Sequence, residues 1–152
     1  MIAVIQRTAH ASVSIDGACA GKIQKGLLVL LGVADGDDKT DAELLAEKVI
    51  KLRVFNDEND KMNLSVSDVG GNILVISNFT LLANYKKGNR PDYMAAAAPS
   101  YASELYDYFC DYVLKKFGRV ERGVFGADMQ VEILNDGPVT IVMDSAVLTD
   151  KK

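Results

Sequence analysis

One histidine, His10, and two cysteines, Cys19 and Cys110, occur among the 152 residues. A single histidine excludes every site that needs two, and it leaves a mixed Cys/His zinc site short of ligands. The cysteines stand far apart and form no ligand pair, so both read as buried, reduced thiols of a cytosolic protein. Long apolar runs are missing too. The longest, Leu27 to Ala34, is interrupted by Gly32 and falls far short of the ~20 residues of a membrane helix. Met1 to Ile5 meets Gln6 and Arg7 at once, unlike the apolar core of an export signal. No phosphate loop, dinucleotide fingerprint or zinc spacing is present. Asp35, Asp37, Asp38 and Asp41 cluster, but without the Gly and terminal Glu of a calcium loop. They read as a solvated turn entering a helix. The absences together predict no metal, no cofactor, no membrane partner and a cytoplasmic location.

What is there is ordinary for a globular chain: 49% hydrophobic and 25% charged residues, with 17 basic against 21 acidic side chains for a net charge of −4. Disorder and fibre are excluded by that balance. The length fits one domain that buries enough surface to need no disulfide or metal staple.

Strand signals dominate the first 34 residues. Ile2 to Arg7 alternates, Ser12 to Ile15 continues in strand-like composition, and Asp16-Gly17 predicts a hairpin between Ala11–Ile15 and Ala18–Ile23. Leu27–Val33 is continuous enough for a strand covered on both faces. Two helices are legible. The first opens on a Thr40/Glu43 capping-box spacing and carries Leu45, Val49 and Leu52. The second starts near Pro99, shows Tyr101, Leu105, Tyr108, Phe109, Tyr112, Val113 and Phe117 on one face, and stops at Gly118. Its tyrosines read as core packing rather than a platform for bases. Further strand-like runs are Ile73–Ile76, Val120–Phe125, Met129–Leu134 and Val139–Met143, with a polar loop over Asn56–Lys61. The pattern predicts one α/β domain, a mixed sheet partly covered by two helices. Residues 1–145 form that domain and 146–152 a C-terminal tail.

Side chains for standard catalysis are scarce. His10 has no obvious acid beside it and reads as a surface loop residue rather than a base. Three segments break the local pattern. Ser77-Asn78-Phe79-Thr80 puts polar residues at the end of a buried strand, where α/β sheets tend to place ligands; a plain polar strand exit fits equally. Asn135-Asp136-Gly137-Pro138-Val139-Thr140 is dense turn chemistry, readable as a hairpin loop or as a rigid backbone presenting carbonyls. Gly123 to Met129 suits either a pocket floor containing Phe125 and Met129 or a bulged hairpin. Basic residues also gather in two places, Lys86, Lys87 and Arg90, and Lys115, Lys116, Arg119 and Arg122. Each group suits either phosphates or solvated surface.

Taken in order, three stretches resemble the D-aminoacyl-tRNA deacylase family nearly end to end. They are Met1 to Arg7 with Ala11-Ser12-Val13, Lys87-Gly88-Asn89-Arg90-Pro91, and Asn135 to Thr140. The chain departs from the family's Ser-Gln-x-Thr signature, having Asn78 one methylene shorter. The resemblance implies a barrel-like fold, a homodimer with active sites at the interface, and hydrolysis of the ester joining a D-amino acid, or glycine, to tRNA. It implies that a Gly-cis-Pro element, here Gly137-Pro138 held by Arg7, projects into the partner's pocket and rejects L-amino acids. Ser77 and Thr80 are then the catalytic candidates, with Thr80 positioning rather than attacking. Asn78, Phe79, Phe125 and Met129 are expected to bind substrate, Phe79 and Met129 packing on adenine. The rivals are a deacylase whose substrate Asn78 has shifted and a tRNA-binding module without catalysis.

Overall fold

In the computed structural model, which describes residues 1–150, Ile2–Ile15 forms a single strand, β1, where the sequence suggests two pieces. Pairing on both edges holds it extended. Residues Ile2 to Thr8 pair with Gly26–Gly32 (β3), and Ala11 to Ile15 pair with Ala18–Ile23 (β2). On the other edge Gln130–Asp144 (β8) runs antiparallel along nearly all of β1. His10 therefore lies in a strand, opposite Leu134, and not in a loop. Asp16 and Gly17 adopt the positive φ angles, 50° and 79°, of the expected tight turn.

The sheet continues from β3 through Asn72–Ser77 (β6) to the short Glu121–Arg122 (β7), both pairings parallel. Phe55–Asn56 (β4) and Met62–Leu64 (β5) make a separate small hairpin. Helices Lys39–Lys51 (α1), Pro99–Phe117 (α2) and Ser145–Thr149 (α3) complete the chain. The result is the barrel-like mixed sheet with covering helices that the resemblance implies, with α3 as a third, short helix.

Leu27 to Val29 of β3 are fully buried, because neighbours on both edges leave only the faces to cover. One face, with Leu27, Val29 and Leu31, packs on Leu45 and Val49 of α1 and Leu105 and Phe109 of α2. The other face, with Leu28, Val13, Ile23, Leu74 and Ile76, forms a second cluster that contains no helix residue, the barrel interior. The tyrosines of α2 serve packing. Tyr106 is buried with its hydroxyl donating to Val75 O at 2.8 Å. Tyr108 and Tyr112 donate to Glu43 and Glu47 of α1.

The helix cap lies two residues earlier than the Thr40/Glu43 spacing suggests. Asp38, not Thr40, is the N-cap, accepting from Thr40 N and Asp41 N while Asp41 accepts from Asp38 N. The acidic cluster is accordingly not all solvated: Asp41 is 1% exposed and accepts from Ser145 Oγ at 2.8 Å. Ser145 Oγ and Asp37 in turn accept from the Met1 nitrogen. Of the cysteines, Cys110 is buried, and burial pushes its thiol up to about 12. Cys19 is exposed, contrary to expectation. No helix of the described residues is long and apolar enough to cross a membrane.

Candidate active site

β6 delivers Ser77 to its C-terminal end, paired with Leu31 of β3. The chain then turns sharply, with Asn78 N donating to Leu31 O at 2.8 Å. The turn can press this close because β3 ends in Gly32, where a Cβ would meet the Leu82 side chain at 2.5 Å and Asn78 O at 3.1 Å. Phe79–Leu82 follows as one turn of 3-10 helix. Leu82 anchors it inward. Thr80 lies exposed, and its hydroxyl donates to Asn78 Oδ1.

Phe79 is 55% exposed and meets Tyr93 edge to face, ring centroids 4.9 Å apart and planes at 76°. The two rings, Met94, Ala97, Ala102 and Phe125 line an open, mainly apolar cleft of about 450 Å³. Phe125 is backed by Tyr106 at 6.2 Å. Phe79 and Phe125 thus share one cleft, near the end of the strand that carries Ser77.

Met129 is not. Its sulfur sits where a Cβ on Gly123 would come within 2.6 Å, against the barrel-interior cluster. It lines a separate, polar depression with Ser12, Asp16 and Glu132. Nor do Gly137 and Pro138 line the cleft of their own chain. They belong to β8, where the pairing jumps from Gln6↔Thr140 to Thr8↔Asn135. The extra residues bulge out of one continuous strand, so the segment is not the hairpin loop its turn chemistry suggests. Asn135 closes the base of the bulge by donating from Nδ2 to Arg7 O and Val139 O, both at 3.0 Å. The Gly137-Pro138 bond is cis, and both residues are exposed.

Arg7, a buried residue, reaches the bulge from β1. It donates from Nε to Asp136 O at 3.1 Å and from Nη1 to Val54 O at 2.8 Å and Asn56 Oδ1 at 3.1 Å. Its Nε also lies 3.3 Å from the Asp136 carboxylate. Gly137 has φ of 128°, and a Cβ there would come within 2.9 Å of Arg7 Nη2. A side chain at that position is strained by the positive φ and crowded by Val139, whose Cγ2 would lie 2.8 Å from the Cβ.

His10 is exposed and lines no part of the cleft. Among the described residues, none that lines the cleft is a histidine, cysteine or carboxylate. The far wall, Tyr93, Met94, Ala97 and Ala102, carries no motif that marks it as a site in the sequence. Its only trace there is the run of small apolar residues before Pro99, too short for a strand and outside the helix.

The family described as D-Tyr-tRNA(Tyr) deacylase matches residues 4–144. The D-aminoacyl-tRNA deacylase of Flavobacterium johnsoniae is 54% identical over 146 residues, 95% of this chain and 97% of that one. That of Anaeromyxobacter dehalogenans is 55% identical over 145 residues, with the same coverage. Among solved structures, one titled c-Myc DNA Unwinding Element Binding Protein superposes with a TM-score of 0.89 at 40% identity, covering 95% of this chain and 98% of its own. A probable eukaryotic D-amino acid tRNA deacylase shares the fold, with a TM-score of 0.81 at 16% identity and 94% of this chain covered. Matched along almost its whole length, the chain belongs to the D-Tyr-tRNA(Tyr) deacylase family.

Proposed function

We propose that this chain hydrolyses the ester joining a D-amino acid to the terminal adenosine of tRNA, releasing the free amino acid and reusable tRNA. The observation that carries the reading is the cleft itself, aromatic walls beside a polar 3-10 turn, with no side chain suited to act as base. An aminoacyl ester is already activated, so holding it beside water and stabilising the oxyanion suffice. The first N–H groups of a helical turn have no partner inside it. Those of Phe79 and Thr80 are suited to bind the developing oxyanion. Thr80 positions substrate rather than attacks it: its hydroxyl donates to Asn78, and no base stands ready to deprotonate it. Ser77 supports the same strand end, and the ribose 2′-OH orients the water. Adenine stacks on Phe79, and Phe125 backs the pocket.

Selectivity comes from a second copy of the chain. The exposed Gly137 and Pro138, stiffened by Arg7 and remote from their own cleft, fit the partner's cleft, where their carbonyls take the space an L side chain needs. Glycine, having no side chain, is accepted. The outer face of β8 supports pairing of copies, with Leu134 at 51% and Val142 at 69% exposure. Asn78 favours one variant reading. Its Oδ1 is engaged by Thr80, so a contact a longer Gln would make to substrate is absent or passes through water, shifting the preferred ester.

Hydrolysis of D-Tyr-tRNA and L-Tyr-tRNA side by side tests the proposal. Loss of the D ester with the L ester intact is expected. Equal loss of both would discard the exclusion step, and loss of neither, with glycyl-tRNA stable too, would discard the deacylase reading.

A further inference from the structure

The two basic groups flagged in the sequence have different fates. In the one at the end of α2, Arg119 donates from Nε and Nη2 to Gly71 O, and Arg122 pairs with Asp107 and Asp111. Lys116 lies 5.5 Å over the Tyr112 ring. Three of the four cations are thus engaged within the fold, and Lys115 is exposed.

Lys86, Lys87 and Arg90 do the opposite. All three are exposed, and among the described residues none has a carboxylate within ion-pair distance. Their loop is nevertheless built. Its two ends are clamped by paired backbone bonds, Asn84 N to Asp92 O at 2.8 Å and Asp92 N to Asn84 O at 2.9 Å. Asn84 Nδ2 adds a bond to Asp92 Oδ2 at 3.1 Å, and Asn84 Oδ1 accepts from Lys86 N at 3.1 Å. The loop's one carboxylate is occupied at its root, where Asp92 Oδ1 also accepts from Met94 N at 3.2 Å. Three unneutralised cations are left around the tip, with Tyr85 beside them at 80% exposure.

The root of this loop adjoins the cleft, since Tyr93 and Met94 follow Asp92 directly and line it. Four extended residues reach at most ~14 Å, so the cations stay close to whatever occupies the cleft. We infer that the Asn84–Asp92 loop grips the phosphate backbone of the tRNA acceptor end, immediately 5′ of the terminal adenosine. Lys86, Lys87 and Arg90 contact phosphates, and Tyr85 offers a face for an unpaired base. A chain of net charge −4 repels nucleic acid as a whole, which makes a local, acid-free cluster the place where the polyanion is held. The inference rests on the deacylase reading for its partner and adds where that partner is held.

The test measures direct binding of uncharged tRNA to the full chain between low and physiological salt. The parent is compared with K86A/K87A/R90A and with K86R/K87R/R90K, which keeps the charges. The alanine variant should bind about 10-fold more weakly and lose about 2 from the slope of log affinity against log salt, three single-strand phosphate contacts at ~0.7 each. The charge-keeping variant should match the parent. An unchanged slope in the alanine variant, equal weakening in both variants, or a parent that does not bind tRNA would overturn the inference. If the parent binds with the charge-dependent slope yet hydrolyses no ester, the loop stands and the deacylase reading falls.

Discussion

At the N-terminus of α1, polar groups are inside and all of them are answered. Asp41 is 1% exposed, holding Ser145 and the Asp38 amide, while Ser145 receives the Met1 nitrogen. Across the described residues no buried side-chain nitrogen or oxygen lacks a partner. At the cleft the disposition is reversed. Phe79 is 55% exposed and Met94 86% exposed, with apolar surface turned to solvent beside a polar turn. A satisfied buried network is a statement about folding. Apolar surface held open on a braced framework marks a place for a ligand. The two regions should therefore respond to mutation in opposite ways.

The largest effect is expected from Asp41→Ala. It strips the acceptor from Ser145 Oγ and the Asp38 amide in a buried place, and should lower stability by about 3 kcal/mol, measured by urea unfolding. A loss under ~1 kcal/mol would mean the network is no more than packing. Next comes Arg7→Ala, which sits between the two regions. It leaves the buried Val54 carbonyl and the partly exposed Asp136 carbonyl without this donor and should cost about 2 kcal/mol, most of it from Val54. It should also erode D-over-L selectivity; intact selectivity would uncouple Arg7 from the bulge. Phe79→Ala should behave as a cleft residue alone, raising KM for the D ester about 10-fold through lost stacking. Its unfolding midpoint should barely move, so a large thermal shift would reassign Phe79 to the core.

The smallest effect belongs to the helix seam. Lys51 and Tyr112, hydrogen-bonded to Glu47, hold its carboxyl below its ordinary value. A lowered carboxylate contributes stability above its unfolded pKa, and that contribution fades as pH falls through the folded value. Tyr112→Phe should flatten the acid limb of stability below about pH 4.5 only slightly, because solvent screens this partly exposed pair. Titration of thermal stability from pH 6 to 3 would detect it; a steeper limb would contradict it.

The strongly patterned parts of the chain are legible in its sequence. β3 was visible because a strand covered on both faces must be apolar throughout. The stop of α2 was visible because Gly118 adopts the left-handed φ, 92°, that the helix end requires. The α1 cap slipped by two residues, since Asp38 and Thr40 are both competent caps. Asp38 has a reciprocal partner in Asp41, while Glu43 accepts from Tyr108 of the other helix. β8 was read as two strands for a similar reason. Asn-Asp-Gly-Pro is a turn by local chemistry, but an uninterrupted neighbour in β1 keeps both flanks in one ladder.

The same division holds for function. Periodicity, turn residues and the ordered signatures from Met1 to Thr140 determined the class of fold and the family, because those are local or strictly sequential properties. The tertiary structure alone decided which cations are neutralised, that Tyr93 meets Phe79, and that Met129 and the Gly137-Pro138 bulge do not line their own cleft. Burial and pairing are made between residues tens of positions apart, and spacing along the chain carries no record of them.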